Sequence, residues 1–177
     1  MIEAGDAAAF ARIALPHLDA AYNLARWLVR DPTLAEDVVQ DAMLRGLTYV
    51  ASFRGDNPRA WILQIVRTTA YTRLASRRGA AEVPLDPEPA AEIVDPADDP
   101  ETALWQRQRH ATLEQALQNL PPELREIIVL RELEEMSYRD IARVTGVPIG
   151  TVMSRLWRAR RALARLVAPG TSSGGAP

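Results

Sequence analysis

The chain has 177 residues, enough for one medium domain or two small ones, and its formal net charge of −2 hides strong local asymmetry. It contains no cysteine, which excludes disulfides, thiolate metal sites and a cysteine nucleophile. Because we find neither a signal peptide nor an apolar run of about 18 residues, we expect a cytoplasmic protein without membrane insertion.

The first part of the chain predicts three amphipathic helices. Asp6 is a candidate N-cap of the first helix, and Pro16 predicts a kink or a break within it. The second and third helices each begin with a capping residue followed by proline, at Asp31-Pro32 and Asn57-Pro58. Their apolar positions recur at helical spacing and predict a small bundle. These positions are Phe10, Ile13, Leu18, Ala21, Ala25, Leu28, Leu34, Val38, Val39, Leu44, Leu47, Trp61, Ile62, Ile65, Val66 and Thr69.

Residues 79–99 are rich in proline and acids and contain no base, which predicts a flexible, extended linker. After it, Asp99-Pro100 predicts the start of a fourth helix, and Pro121-Pro122 separates that helix from a fifth. Their predicted core residues are Leu104, Leu113, Ala116, Leu117, Leu120, Leu124, Ile127, Ile128 and Leu130. The predicted fold is all-α, with two small helical domains. Their predicted bounds are 1–78 and 100–168, followed by a disordered tail at 169–177.

The segment from Ser137 to Leu166 predicts a helix-turn-helix. Ser137 is a good N-cap, with Asp140 three residues later as in a capping box, and Gly146 can adopt the positive φ that ends a short helix. In the second helix an apolar stripe is flanked by arginines, and the whole segment carries seven arginines but one acid. That density indicates contact with DNA phosphates, with the second helix in the major groove. The stripe consists of Val152, Leu156, Ala159 and Leu163.

Two further charge patterns allow more than one interpretation. Glu36, Asp37 and Asp41 form an acidic helix face that suits a basic partner, a metal ion or plain solvent, although neighbouring helices offer no matching acids for a metal. On the third helix, arginines surround Trp61 and Tyr71, a pattern that favours single-stranded nucleic acid, although Trp61 also fits the core stripe. Neither a catalytic triad nor a phosphate-binding loop is evident.

Three segments together resemble bacterial sigma factors of the extracytoplasmic-function (ECF) type, in the sigma-70 superfamily. Residues 35–47, AEDVVQDAMLRGL, resemble the family's core-polymerase-binding helix. Residues 53–78, FRGDNPRAWILQIVRTTAYTRLASRR, resemble its promoter-melting segment, and residues 120–163 resemble its domain that reads the minus-35 element. The resemblance covers about residues 6 to 166. It implies a non-enzymatic initiation factor, without a cofactor or a metal, that directs core RNA polymerase to stress-response promoters.

The resemblance also implies residue roles and partners. Contacts to the minus-35 duplex are expected from Thr151, Met153, Ser154, Arg155, Trp157, Arg158 and Arg161. Contacts to the minus-10 single strand are expected from Arg54, Asp56, Asn57, Arg59, Trp61, Arg67, Thr68 and Tyr71. Core polymerase, through its β′ clamp helices and β flap, is expected to meet Asp37, Gln40, Asp41 and Met43. An anti-sigma factor is a further expected partner.

Thr68 stands where many members of the family have Asn, and the loop between Asp56 and Trp61 is short, so an unusual minus-10 consensus is expected. Two rival functions remain open at this point. One is a helix-turn-helix repressor or activator that works without polymerase, which would need to dimerise to read paired half-sites. The other is a helical enzyme that uses the carboxylates of Glu36, Asp37 and Asp41.

Overall fold

A computed structural model describes residues 4–79 and 99–168, and this part of the chain is helical throughout its regular elements. The all-α prediction is therefore confirmed. The predicted linker, apart from its end residues 79 and 99, and the predicted tail lie outside the described residues. The α-helices are α1 (Ala4–Ala14), α2 (Leu18–Val29), α3 (Pro32–Thr48), α4 (Pro58–Gly79), α5 (Pro100–Gln118), α6 (Pro122–Ile128), α7 (Tyr138–Thr145) and α8 (Ile149–Val167). Short 3₁₀ turns span Leu15–His17 and Val50–Ser52, and a π turn spans Val129–Leu133.

Local capping chemistry sets most of the predicted helix starts. The Asp31 carboxylate accepts a hydrogen bond from the Leu34 amide at 3.1 Å, and the Asn57 side-chain oxygen accepts one from the Ala60 amide at 3.0 Å. Pro16 lies in the 3₁₀ turn that separates α1 from α2, as the predicted break requires.

Two capping predictions were wrong. Asp6 lies inside the first turn of α1, because helical hydrogen bonding already includes Ala4. Helix α5 does begin at Pro100, but Asp99 makes no capping bond through its side chain. In both places the acid still lies at the positive end of the helix dipole, so its charge is favourable without a cap.

A single hydrophobic cluster joins residues of both predicted domains. Its largest fully buried members include Leu24, Ile62 and Leu63 from the first bundle, and Ile127 and Ile141 from the C-terminal part. Helix α4 packs against α7, and α2 packs against α6, so the two parts of the chain are docked on each other rather than separated.

Three of the predicted core leucines are exposed instead. Leu44 turns away from the bundle because Leu34, Val38 and Ala42 already form the inward stripe of α3. Leu104 and Leu113 are exposed because α5 buries only its C-terminal end, at Ala116 and Leu117. Helical spacing identified an apolar side at these positions, but tertiary contacts decide which apolar positions are covered.

The helix-turn-helix forms as predicted. The Ser137 hydroxyl oxygen accepts a hydrogen bond from the Asp140 amide at 3.1 Å, and Gly146 ends α7 with a φ of +71°. Pro148 occupies the N-cap of α8. The α8 stripe is buried at Val152, Leu156 and Ala159, whereas Leu163 is half-buried against the same core.

Gly146→Ala is expected to lower the free energy of unfolding by about 1 kcal/mol, because a Cβ disfavours the left-handed backbone that the turn requires. Chemical denaturation followed by circular dichroism measures the change. The matched control is Gly150→Ala, since Gly150 lies in α8 with open space around a Cβ and alanine favours helix. Equal destabilisation by the two variants would contradict the role assigned to the turn.

Candidate nucleic-acid interface

The seven residues predicted to read the minus-35 duplex all lie on α8, and we call them the recognition face. One side of α8 is buried in the core, and the recognition face lies on the side that points to solvent. Met153 and Trp157 on this face are more than half exposed. The Arg161 guanidinium lies 4.6 Å from the centre of the Trp157 ring, which arranges a cation over an aromatic surface. The face thus combines solvent-exposed arginines with polar and apolar groups, the mixture that contacts both phosphates and base edges.

The eight residues predicted to hold the minus-10 strand lie on α4 and the loop before it, and we call them the strand-capture surface. Trp61 is half-buried against the core, and its ring centre lies 5.1 Å from that of Phe53. Thr68 is exposed, with its hydroxyl donating to the Gln64 carbonyl at 2.9 Å, and Arg54 is exposed in the loop. The remaining five members all contact the C-terminal part of the chain.

Glu126 of α6 makes the most buried of these contacts. Its carboxylate accepts from Nε and Nη2 of Arg67 at 2.7 and 3.0 Å, and from the Tyr71 hydroxyl at 3.1 Å. Burial raises the pKa of Tyr71, and the adjacent Glu126 raises it further. Burial alone would lower the pKa of Arg67, but Glu126 outweighs it and raises that pKa. Both donors therefore keep their protons at neutral pH.

Three polar pairs extend this contact along α4 and its preceding loop. Arg59 donates to Glu134 at 2.6 Å, the Asn57 amide donates to Asp140 at 2.8 Å, and Arg143 donates to Asp56 at 3.0 Å. Because the Asp140 carboxylate accepts from Asn57, it serves the contact between the two parts of the chain.

The four residues predicted to meet polymerase lie on α3, but they do not share one surface. Asp37 and Gln40 are exposed, and Asp41 is partly exposed and accepts a hydrogen bond from Nε of Arg73 at 2.8 Å. Met43 is half-buried and packs against the core. Leu44, which is 65% exposed, instead continues the face of Asp37, Gln40 and Asp41, at helical spacings of three, four and seven residues from Asp37.

Sequence reasoning missed Arg125, Glu126 and Glu134, which are buried charged residues. A usable signal was present, because Arg125 and Glu126 interrupt an otherwise apolar run from Leu124 to Leu130. A charge at a buried helical position requires a partner, and such partners here come from distant parts of the chain. Within residues 4–79 and 99–168, no group of three or more acidic or histidine side chains is arranged to hold a metal ion.

Comparison with known proteins places both surfaces in recognised families. The family model described as "Sigma-70 region 2" matches residues 13–80, which include the strand-capture surface. The family model described as "Sigma-70, region 4" matches residues 110–163, which include the recognition face. The chain is 33% identical to the RNA polymerase sigma-H factor of Pseudomonas aeruginosa, over 95% of this chain and 91% of that protein. It is 35% identical to the ECF RNA polymerase sigma factor SigM of Mycobacterium tuberculosis, over 93% of this chain and 80% of that protein.

Two solved structures have a similar fold. The sigma factor RpoE of Bartonella quintana, in complex with the anti-sigma factor NepR, is 29% identical with a TM-score of 0.71, and the match covers 89% of this chain and 96% of that one. CnrH, in complex with the cytosolic domain of CnrY, is 26% identical with a TM-score of 0.64, and the match covers 89% of this chain and 86% of that one. The chain contains sigma-70 region 2 followed by region 4, and the two relatives match it over 95% and 93% of its length. It therefore belongs to the ECF sigma factors of the sigma-70 family.

Proposed function

We propose that this chain directs core RNA polymerase to specific promoters, by reading the minus-35 duplex with α8 and holding the minus-10 single strand on α4. The observation that carries this proposal is the recognition face, a basic and largely exposed side of α8 opposite the buried residues Val152, Leu156 and Ala159, within a chain that also carries region 2. Arginines there supply phosphate contacts, while Thr151 and Ser154 offer short polar side chains for base edges and Met153 offers an apolar contact.

On the strand-capture surface, the roles divide between charge and shape. Arg54, Arg59 and Arg67 would follow the strand's phosphates, while Tyr71 offers a ring on which a base can stack. Trp61 is half-buried against the core beside Phe53, so it would support the surface from below. Binding of the unpaired strand would supply the free energy of melting, and no catalytic step is part of this proposal.

Core polymerase would dock on α3 through Asp37, Gln40, Asp41 and Leu44. The exposed leucine adds apolar area to an acidic face, which is the composition that a basic helical partner with an apolar stripe would match. Met43 would act indirectly, because it packs beneath this face against the core.

An anti-sigma factor is the second proposed partner. The solved relative RpoE of Bartonella quintana was determined in complex with an anti-sigma factor, and CnrH was determined in complex with the cytosolic domain of CnrY. A cytoplasmic location is part of the same proposal, since the chain would act on the transcription machinery. Among the helices described for this chain, none is long and apolar enough to cross a membrane.

Size-exclusion chromatography with light scattering distinguishes this function from the rival helix-turn-helix regulator. The proposal predicts a monomer alone and a one-to-one complex when core RNA polymerase is added. A stable dimer that ignores core polymerase would favour the regulator, which reads paired half-sites through dimer symmetry.

Leu44→Ser is expected to weaken binding to core polymerase by about tenfold, because an exposed leucine at a protein interface loses its buried contacts. Fluorescence anisotropy of the labelled chain measures the affinity. Leu15→Ser is the matched control, since Leu15 is 63% exposed and belongs to the 3₁₀ turn Leu15–His17 rather than to α3. Equal binding by both variants would remove Leu44 from the proposed docking face.

A further inference from the structure

We infer that α8 selects thymines in the minus-35 duplex by their C5-methyl groups, through a row of exposed apolar side chains. The row consists of Ile149, Met153 and Trp157, and we call it the exposed stripe. Ile149 is new among the proposed DNA contacts. The inference rests on the proposed function of α8 and names the chemical group on the duplex that this side of the helix recognises.

The exposed stripe is not part of the protein core. Its three side chains are 45%, 52% and 59% exposed, in chain order, and none of them belongs to the hydrophobic cluster or packs against it. Other residues of α8, among them Val152 and Leu156, make the core contacts of this helix. Single exposed apolar residues are common on protein surfaces, but a row of large ones along one helix indicates a contact surface.

The spacing of the exposed stripe suits the base pairs of a duplex. Its members are four residues apart, so each step advances about 6 Å along the helix axis. Base pairs stack about 3.4 Å apart, and neighbouring members would therefore reach base pairs about two positions apart when the helix lies in the major groove. Ile149 is the first residue of α8, the end at which a recognition helix contacts base edges.

The polar neighbours of the exposed stripe favour duplex DNA as its occupant. Arg158 is exposed directly after Trp157, and the Arg161 guanidinium lies 4.6 Å from the centre of the Trp157 ring. A protein helix placed here would have to bury these cations, whereas DNA phosphates would neutralise them. The apolar group that a base edge presents in the major groove is the C5-methyl of thymine. The stripe and its arginines thus match methyl groups and phosphates of one ligand.

The test uses the full chain bound to core RNA polymerase and a promoter selected from a randomised library. Each thymine of the minus-35 element, on either strand, is replaced in turn by uracil, which keeps base pairing and lacks only the methyl group. Competition anisotropy measures the affinity for each duplex. The variant is Met153→Gln, which keeps the side-chain length but makes its end polar. The matched control is Leu166→Gln, since Leu166 is 46% exposed on the same helix outside the exposed stripe.

We expect one or two of the uracil replacements to lower the affinity of the unaltered chain about fourfold each, which corresponds to the loss of one buried methyl group. Met153→Gln should bind the thymine duplex about fourfold more weakly and should no longer distinguish thymine from uracil at one position. Leu166→Gln should keep both the affinity and the distinction. Trp157→Ala is a second variant, for which the distinction should be lost at a different position.

Equal affinity for every thymine and uracil duplex overturns the inference, and so does a selected minus-35 element without thymine on either strand. A thymine preference that both Met153→Gln and Trp157→Ala leave unchanged also overturns it. Weaker binding of core polymerase by Met153→Gln, without any thymine preference, would assign the exposed stripe to a protein partner instead. If the library yields no minus-35 element at all, the proposed function fails, so the two failures are distinguishable.

Discussion

Arg125→Met is expected to lower the free energy of unfolding by about 3 kcal/mol, because Arg125 is 4% exposed and its guanidinium donates only to backbone carbonyls. It bonds to the carbonyls of Leu117, Gln118 and Leu120 at the end of α5, at 3.0 to 3.2 Å. A fourth bond, to the carbonyl of Trp27 at 3.0 Å, reaches the end of α2. A single cation thus satisfies acceptors at two helix C-termini, where the helix dipole favours positive charge.

Methionine fills similar volume but leaves those carbonyls without the guanidinium donors. Burial lowers the pKa of Arg125, and the charge of Arg30 acts in the same direction, yet the group stays protonated at neutral pH. The control is Arg160→Met, since Arg160 is half exposed in a surface pair with Glu132, and its loss is expected to cost under about 1 kcal/mol. Urea denaturation of both variants measures the difference. If the two variants lost the same stability, Arg125 would not have the buried structural role assigned to it.

Arg158→Ala and Asp41→Ala are expected to weaken two different binding steps. The arginine change should weaken minus-35 duplex binding about tenfold and, if Arg158 touches a phosphate, reduce the slope of log affinity against log salt by about 0.9. The aspartate change should weaken binding to core polymerase and leave duplex binding unaltered. Because the pair between Asp41 and Arg73 lies at the surface, its loss should barely affect folding.

Each variant needs a control that removes the same charge elsewhere. Arg12→Ala on α1 and Asp19→Ala on α2 serve this purpose, because both side chains are exposed and lie outside the proposed surfaces. Anisotropy titrations with duplex DNA at several salt concentrations, and separately with core polymerase, measure both steps. If Arg158→Ala and Asp41→Ala weakened the same step to the same extent, the proposed division between α8 and α3 would be wrong.

The parts of the fold that the sequence predicts are those with local causes. Asn57 and Pro58 act within one turn of each other, and Gly146 needs only its own backbone freedom, so the start of α4 and the turn of the helix-turn-helix could be predicted directly. The recognition face was predictable for the same reason, because one helix contains both its buried stripe and its exposed arginines.

The remaining features depend on contacts between distant residues. Whether Leu44 and Leu104 are covered depends on which helices lie beside α3 and α5, and helical spacing alone does not contain that information. Likewise, the sequence does not show whether the Arg67 guanidinium contacts solvent, DNA or Glu126, because Glu126 lies 59 positions further along the chain. The strand-capture residues were therefore predicted by type, but their engagement by the C-terminal part was not.

Transcription from a randomised promoter library by core RNA polymerase, with and without the chain, tests the central proposal most directly. We predict that adding the chain produces transcripts from a small set of promoters that share two sequence elements, at the minus-35 and minus-10 positions. The set should be lost with Arg158→Ala and Asp41→Ala combined, while the paired control, Arg12→Ala with Asp19→Ala, retains it. No enrichment of any promoter over core polymerase alone would contradict the proposal that this chain confers promoter choice.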